Sequence, residues 1–179
     1  MPDLSFLLSP AQGFGYLAFV FGVACFAQTD DRRFKLFMAL ECLAYVLHFA
    51  LLGHPTAVAS NLVSLARSVA AMRARTPAVG LFFIGLSLAL GAWLYQGWVS
   101  LLPILASCIG TTALFFLQGL RMRLLMLCGT ALWLLNNLLV GSIGGTLLEA
   151  TLLLTNGWTI WRLWRRPAGA AASTPVSEQ

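Results

Sequence analysis

The sequence predicts an all-α membrane protein with seven transmembrane helices, in which two parallel three-helix repeats flank one central helix. Three observations support this fold class: an apolar composition, positive charge on one side of the predicted spans, and a correspondence between the two halves of the chain. Of the 179 residues, 59% are hydrophobic and 9% are charged, whereas soluble domains carry about 25% charged residues. This composition cannot cover a water-exposed surface, so the lipid bilayer is the expected partner of most of the chain.

Seven apolar spans follow one another along the chain, at 13–29, 35–53, 56–73, 77–96, 99–117, 122–140 and 143–161. The central span, PAVGLFFIGLSLALGAWLYQ, has no charged residue and has the length of about 20 residues that a helix needs to cross a bilayer. The predicted parts are a short external N-terminus (1–12), a first repeat (13–75), a linker helix (77–96), a second repeat (99–166) and a disordered cytoplasmic tail (167–179).

The positive charges predict the orientation of the spans. Ten of the eleven Lys and Arg residues fall on one side of the seven spans, and the eleventh, Arg67, lies inside span three. Cytoplasmic loops of membrane proteins carry the excess of Lys and Arg. We therefore expect a multi-pass protein of the bacterial inner membrane, with its N-terminus outside and its C-terminus in the cytoplasm.

The two halves of the chain correspond when one is shifted by 88 residues without a gap. The shift superposes span one on five, two on six and three on seven. Loop charges and loop glycines keep register together, as in Arg33 with Arg121 and Gly53 with Gly141. Within the spans, Gly22 corresponds to Gly110 and Tyr45 to Trp133. Such self-similarity predicts an internal repeat.

Three ionisable residues lie within the spans: Glu41, Arg67 and Glu149. Charged groups in hydrocarbon cost about 2.5–3.5 kcal/mol each, so they usually face a bundle interior or water. Glu41 is six residues from Lys35, and Arg67 is six residues from Arg73, which puts both about 9 Å into the membrane. We predict that Glu41 and Arg67 form an ion pair or an inner gate; a purely structural pair is the alternative.

Polar side chains recur at helical spacing on spans two, three, six and seven, which predicts one shared polar interior. His48 and Asn136 are equivalent under the repeat, and so are Asn61 and Glu149. Amides and aromatic rings at such positions can hydrogen-bond to a small polar solute and stack on it. The predicted substrate site comprises His48, Asn61, Trp133, Asn136, Asn137, Glu149 and Asn156.

The alternative interpretation is that these polar residues join helices to one another, at about 0.6 kcal/mol per contact. Glu149 is the stronger functional candidate, because no basic residue lies at its depth in span seven. A buried carboxyl group without a cation favours its neutral form, which suits proton coupling. His48 is a candidate partner for that proton.

The sequence contains no motif that indicates an enzyme. HExxH, GxSxG and the phosphate-loop signature are missing, and the four cysteines are not spaced as metal ligands. We therefore predict no catalytic residue, no metal and no cofactor. We also predict no nucleic-acid partner, because the net charge of +5 is explained by membrane orientation. The sequence does not indicate an oligomeric state.

Several segments resemble the YgjV family of bacterial inner membrane proteins. They are DRRFK and HFALLG in the first half, and LLPI, GLRMRLLM and GSIGGTLLEATLLLTNGWTIWRLWRR in the second. The resemblance covers residues 10–166 and implies a bundle distantly similar to the SWEET and PQ-loop proteins. SWEET transporters have a 3+1+3 plan, and sites in transporters built from repeats lie near the midplane, where the repeats meet. The Pro-Gln pair of PQ-loop proteins is absent, because Ile104 follows Pro103 and Ala11 follows Pro10.

Two functional hypotheses follow from these patterns. The first is a transporter-like bundle for a small polar or weakly anionic solute, with Glu41 and Arg67 as an inner gate. The second is a membrane scaffold or accessory protein that transports nothing, whose polar residues serve helix packing. A transporter requires a water-accessible cavity flanked by spans two, three, six and seven, whereas a scaffold is expected to be packed solid there.

Overall fold

The computed structural model describes residues 4–26, 31–73 and 76–165, and all regular structure within them is helical. The predicted all-α class is therefore confirmed. The helices are α1 (Leu4–Leu7), α2 (Pro10–Phe26), α3 (Asp31–Leu51), α4 (Pro55–Arg73), α5 (Pro77–Trp93), α6 (Leu101–Phe116), α7 (Gly119–Leu139) and α8 (Ile143–Trp164), and a 3₁₀ turn at Trp98–Ser100 precedes α6.

Each predicted span overlaps one of the helices α2 to α8, and the ends differ by a few residues. The largest shift is at the start of α3, which begins at Asp31 instead of residue 35, and α2 begins at Pro10 instead of residue 13. Proline is well tolerated in the first turn of a helix, because the backbone N–H groups there have no intrahelical acceptor and proline, which lacks the N–H, loses no hydrogen bond. The predicted tail 167–179 lies outside the described residues.

The turns at one end of the bundle depend on glycine. Gly53 in the α3–α4 turn has φ of 75°, and Gly141 in the α7–α8 turn has φ of 71°. Residues with a Cβ rarely adopt this left-handed conformation. We call this end the glycine-turn end; the other end, which carries Arg73, Arg121, Arg123 and Arg165, is the arginine end.

Six of the long helices pack in a closed order. α2 contacts α3 and α8, α4 contacts α3 and α6, and α7 contacts α6 and α8. The fifth helix, α5, packs against α4 and α6. The first half of the chain (α2, α3, α4) and the second half (α6, α7, α8) therefore meet along two seams, α2–α8 and α4–α6.

The distribution of polarity differs from that in a soluble protein. Large apolar side chains such as Leu81, Phe82, Trp93 and Leu154 are exposed, whereas Gln12, His48, Thr111, Asn136 and Ser142 are almost completely buried. Monomeric soluble proteins rarely expose contiguous apolar surface on this scale. The exposed face is suited to lipid, and the polar groups have to find partners inside the bundle.

Length and hydropathy alone identify two described helices as able to cross a membrane, Trp98–Phe116 and Gly119–Leu139. Three shorter apolar helices accompany them, Pro10–Ala24, Leu36–Leu51 and Pro77–Trp93. The 21 residues of α3 and the 22 residues of α8 each span more than 30 Å at about 1.5 Å per residue. Both helices are thus long enough to cross the hydrocarbon core.

Candidate functional site

A cavity of about 150 Å³ lies between α3, α4, α7 and α8. These helices correspond to predicted spans two, three, six and seven. The polar side chains that line the cavity are Glu41, Cys42, Tyr45, Asn61, Ser64 and Glu149, and the aromatic side chains of Phe49 and Trp133 complete the wall. Asn61, Trp133 and Glu149 lie six residues from the glycine-turn ends of their helices, which corresponds to a depth of about 9 Å. The cavity therefore lies well inside the bundle.

Two carboxyl groups share this cavity. Glu41 reaches it from α3 and Glu149 from α8, where the Glu149 side chain is only 9% exposed. Among the described residues no lysine, arginine or histidine lines the cavity. Its formal charge is consequently negative or, with both groups protonated, zero.

Gly22 on α2 packs against the side chain of Glu41. A Cβ atom at this position would lie 3.4 Å from the carboxyl carbon of Glu41 and 2.8 Å from both terminal methyl groups of Leu148. The latter distance is shorter than carbon atoms tolerate. The absence of a side chain at residue 22 therefore lets α3 and α8 approach α2 beside the cavity.

Three aromatic rings form one side of the cavity. The rings of Tyr45 and Phe49 stack with centroids 5.5 Å apart, and the Phe49 and Trp133 centroids are 6.0 Å apart. Tyr45 is 5% exposed, and its hydroxyl group has no hydrogen-bond partner within the described part of the chain. A buried hydroxyl without a partner is costly, so this group is available to a ligand.

The α4 wall is held by bonds within its own helix. The side-chain amide of Asn61 donates to the carbonyl of Ala57 at 2.9 Å, and the hydroxyl of Ser68 donates to the carbonyl of Ser64 at 2.8 Å. The first bond fixes the orientation of the Asn61 amide in the cavity wall.

Arg67 projects across the α4–α6 seam. Its Nη1 donates to the carbonyl of Ser107 at 2.9 Å and to Oγ1 of Thr111 at 3.0 Å, while its Nη2 donates to Oγ of Ser64 at 3.4 Å. Gly110 makes room for the guanidinium group, because a Cβ there would lie 2.9 Å from Nη1. Glu41, the predicted partner of Arg67, is not among these contacts. The neighbouring α6 helix offers oxygen acceptors instead.

His48 lies in the α2–α8 seam, where it is completely buried and has a partner for each ring nitrogen. Nδ1 is 2.6 Å from the carbonyl of Ala11, and Nε2 is 2.7 Å from Oγ of Ser142. Because a carbonyl can only accept, Nδ1 carries the proton, and in the neutral ring Nε2 accepts from Ser142. His48 thus joins α3 to the start of α2 and to the residue that precedes α8.

Gln12 strengthens the same seam. Its side-chain nitrogen donates to the carbonyl of Gly141 at 2.6 Å, and its side-chain oxygen accepts from the backbone N–H of Ile143 at 3.1 Å. A Cβ on Gly144 would collide with the backbone carbonyl of Gly15, so α2 and α8 make backbone contact here. With these contacts the α2–α8 seam is closed at the glycine-turn end.

The remaining predicted site residues lie apart from the cavity. Asn136 and Asn137 are 2% and 1% exposed; the side-chain nitrogen of the former and both side-chain polar atoms of the latter have no partner among the described residues. Asn137 also borders a second hollow, beside Phe6. Asn156 donates to the backbone carbonyl of Arg123 at 3.1 Å and so joins α8 to α7.

The predicted site residues are thus only partly brought together: Glu41, Asn61, Trp133 and Glu149 line one cavity. Sequence reasoning missed Gln12, Ser107, Thr111 and Ser142 as seam residues. One local signal was present for Ser142, whose hydroxyl accepts from the N–H of Gly145 at 3.2 Å, as expected of serine before a helix. In the described ranges no group of three or more His, Cys, Asp or Glu side chains is arranged to hold a metal ion.

Comparison with known proteins identifies the family. The model of the family Imp-YgjV, described as "Bacterial inner membrane protein", matches residues 9–167. The chain is 39% identical over 155 residues to "Inner membrane protein YgjV" of Escherichia coli (strain K12), a match that covers 87% of this chain and 85% of the relative. No solved structure matches the chain. The resemblance predicted from the sequence motifs is confirmed, and the chain belongs to the YgjV family of bacterial inner membrane proteins.

Proposed function

We propose that this protein is a membrane transporter for a small polar solute, and that it binds the solute in the cavity between α3, α4, α7 and α8. The observation that carries this proposal is the cavity itself, since a bundle that serves only as a scaffold has no need of one there. Ionisable residues inside membrane proteins usually mark the paths of ions or substrates, and Glu41 and Glu149 both line the cavity.

The volume of the cavity limits the size of the solute. About 150 Å³ corresponds to a ligand close to benzene in size, or to a few water molecules of about 30 Å³ each. The solute therefore has on the order of six to eight non-hydrogen atoms. Larger sugars and peptides require the helices to separate.

The proposed architecture is a 3+1+3 bundle similar to that of SWEET transporters. In support, the helix contacts of the two halves correspond under the 88-residue shift: α2–α3 corresponds to α6–α7, and α3–α4 to α7–α8. The two contacts between the halves, α2–α8 and α4–α6, correspond to each other in the same way. The left-handed glycines of the two turns, Gly53 and Gly141, are also 88 residues apart. Two such units allow alternating access if one moves relative to the other around a fixed site.

This proposal does not use an inner gate formed by Glu41 and Arg67. The two residues have separate roles instead. Glu41 belongs to the binding site, because it lines the cavity. Arg67 holds α4 to α6 through Ser107 and Thr111. The contacts of His48 and Gln12 close the α2–α8 seam at the glycine-turn end.

The scaffold hypothesis remains the second candidate, and one set of contacts favours it. Gln12, His48 and Asn156 all bond groups on other helices or turns, which is the usual role of polar residues in membrane bundles. For these three residues we propose a structural function under either hypothesis. They do not account for the cavity or for its two carboxyl groups.

Solute uptake into proteoliposomes tests the transport proposal. The purified full-length chain is reconstituted, and uptake of radiolabelled sugars, amino acids, organic acids and small amines is measured against protein-free liposomes. We expect saturable uptake of at least one small solute by the wild type, and a loss of about tenfold or more in Glu149→Gln, as for other buried charged contacts.

Thr151→Val is the matched control variant. Thr151 lies on α8 two residues after Glu149, is exposed, and its hydroxyl bonds only back to the carbonyl of Leu147 among the described groups. It should transport like the wild type. If no solute class shows uptake above protein-free liposomes, the transport proposal is rejected in favour of the scaffold.

A further inference from the structure

We infer that the cavity selects a small organic cation, an amine or quaternary ammonium compound, over neutral and anionic solutes of the same shape. The inference rests on the proposed function in that it assigns the substrate class of the same site. It concerns binding, however, and can be tested without measuring transport. The cationic solute inferred here differs from the small polar or weakly anionic solute that the sequence predicted.

The charges around the cavity support this assignment. Among the described residues, Glu41 and Glu149 are the acidic side chains that line it. The cation of Arg67 touches the wall at Ser64, but its Nη1 is occupied by two acceptors on α6. In a medium of low dielectric constant, two unit charges 4 Å apart interact several times more strongly than in water. When either carboxyl group is ionised, an anionic solute meets repulsion here and a cation meets attraction.

The aromatic wall and the unpartnered hydroxyl group provide a second, independent indication. The cavity is bordered by the rings of Tyr45, Phe49 and Trp133, and cations bind over the faces of such rings, most favourably over tryptophan and tyrosine. The hydroxyl oxygen of Tyr45 is buried without a partner among the described residues. As an acceptor it can bind an N–H or O–H group of the solute.

The same wall disfavours an inorganic cation. Calcium takes six to eight oxygen ligands, and magnesium needs near-ideal octahedral geometry. The side chains here supply two carboxyl groups, one amide and two hydroxyl groups, together with three aromatic rings. Rings contribute little to the coordination of a hard metal ion but contribute strongly to the binding of an organic cation.

Protons compete with the cation for the same two carboxyl groups. Binding of the cation to a protonated site releases the proton from the carboxyl oxygen to solvent, and the carboxylate that remains balances the charge of the cation. Among the described residues, the other ionisable side chains near the pair are Cys42 and Tyr45 on α3 and Arg67 on α4, which bonds to Ser64 in the wall. The α7 helix presents Trp133 to the cavity, and α2 presents the backbone of Gly22 to Glu41. Affinity for the cation should therefore increase as the pH is raised.

Three probes of nearly equal shape and different charge test the inference. They are choline, its uncharged carbon analogue 3,3-dimethylbutan-1-ol, and the anion 3,3-dimethylbutanoate, which have seven or eight non-hydrogen atoms each. Binding to the full-length chain in nanodiscs is measured by calorimetry at constant ionic strength. We expect choline to bind about 30-fold more tightly than either of the others, which is the lower range for loss of a buried charge partner.

Two variants assign the effect to the carboxyl groups. Glu149→Gln and Glu41→Gln should each weaken choline binding about tenfold or more and reduce its pH dependence, whereas Thr151→Val should bind like the wild type. If one variant fails to fold, the other variant and the comparison of the three probes on the wild type still test the inference. Equal binding of choline and the neutral analogue, tighter binding of the anion, or no binding of any probe overturns the inference.

The outcomes separate this inference from the transport proposal. Choline binding without uptake supports the cation site and rejects transport. Uptake of neutral or anionic solutes that is unaffected by Glu41→Gln and Glu149→Gln supports transport and rejects the cation site.

Discussion

His48 and Ser142 are joined by a hydrogen bond of 2.7 Å between Nε2 and Oγ, although 94 residues separate them in the chain. One residue lies near the end of α3 and the other immediately precedes α8. Together with the bond from His48 to Ala11, this contact connects three segments at the glycine-turn end. Much of the closure of the α2–α8 seam depends on it.

Removal of the imidazole should destabilise the bundle. His48→Ala removes the bonds to the carbonyl of Ala11 and to the hydroxyl of Ser142 and opens a cavity, for which we expect a loss of about 2–4 kcal/mol. Ser142→Ala should cost about 1 kcal/mol. Unfolding in SDS titrations measures both, and the double variant should be less destabilised than the sum of the two. Strict additivity would contradict the contact.

Close approach of α2 and α8 should make Gly144 intolerant of a side chain. Gly144→Ala places a methyl group against the backbone of Gly15, and overpacking of this kind costs about 1–3 kcal/mol. Gly157→Ala, on the same helix, is the matched control, because a Cβ there has open space around it. The apparent melting temperature in detergent should fall only for residue 144. Equal effects of the two substitutions would show that the seam is loose.

Arg67 should act through α6 and not through Glu41. Arg67→Gln removes the bonds to Ser107 and Thr111 and should destabilise the protein by about 2–3 kcal/mol. If the two residues do not interact, adding Glu41→Gln to this variant should change stability by the same amount as it does in the wild type, within about 0.5 kcal/mol. SDS unfolding of the four proteins measures the coupling. A coupling free energy of more than about 1 kcal/mol would show that Glu41 and Arg67 do interact, as the ion-pair prediction requires.

Cys42 reports on water in the cavity, which it lines. In a variant that keeps only this cysteine, a water-soluble cationic methanethiosulfonate should react on the order of tenfold faster than its anionic counterpart, because the two carboxyl groups attract the cation. A variant that keeps only Cys128, which is exposed on the outer surface, is the control and should react slowly in membranes, where lipid covers it. Failure of Cys42 to react with either reagent would indicate a solid interior and favour the scaffold.

The orientation of the chain can be checked with reporter fusions. If the chain crosses the membrane an odd number of times with most Lys and Arg in the cytoplasm, as predicted, alkaline phosphatase should be active when fused at the N-terminus behind an export signal. Green fluorescent protein should fluoresce when fused at the C-terminus. Termini in the same compartment would contradict both the seven-span prediction and the parallel repeats.

Much of the fold was predictable because its signals are local. Apolar runs, prolines at helix starts and glycines in turns define each helix within a few residues, as α4 and α7 show. The cavity residues Asn61, Trp133 and Glu149 were predicted to share one site from depth and from the 88-residue correspondence, whereas Glu41 was predicted to form an ion pair or an inner gate with Arg67. Depth along a helix follows directly from residue number.

The direction in which a side chain projects was less predictable. Arg67 and Glu41 lie at similar predicted depths, but the rotation of α4 about its axis turns the guanidinium toward α6. The partners of His48, Ala11 and Ser142, are 37 and 94 residues away, and only lateral packing brings them together. A sequence pattern gives depth and face, whereas the identity of the neighbouring helix depends on the whole assembly.

Gly22 contributes no side-chain atom to the bundle, yet Glu41 and Leu148 both pack against its bare backbone. A single methyl group at this position would displace the carboxyl group or force α8 outward. The dimensions of the cavity are thus set in part by α2, which packs behind the cavity wall and contributes no lining residue among those that the structure describes. Variants with altered ligand preference should accordingly be sought on α2 as well as among the residues that a ligand can touch.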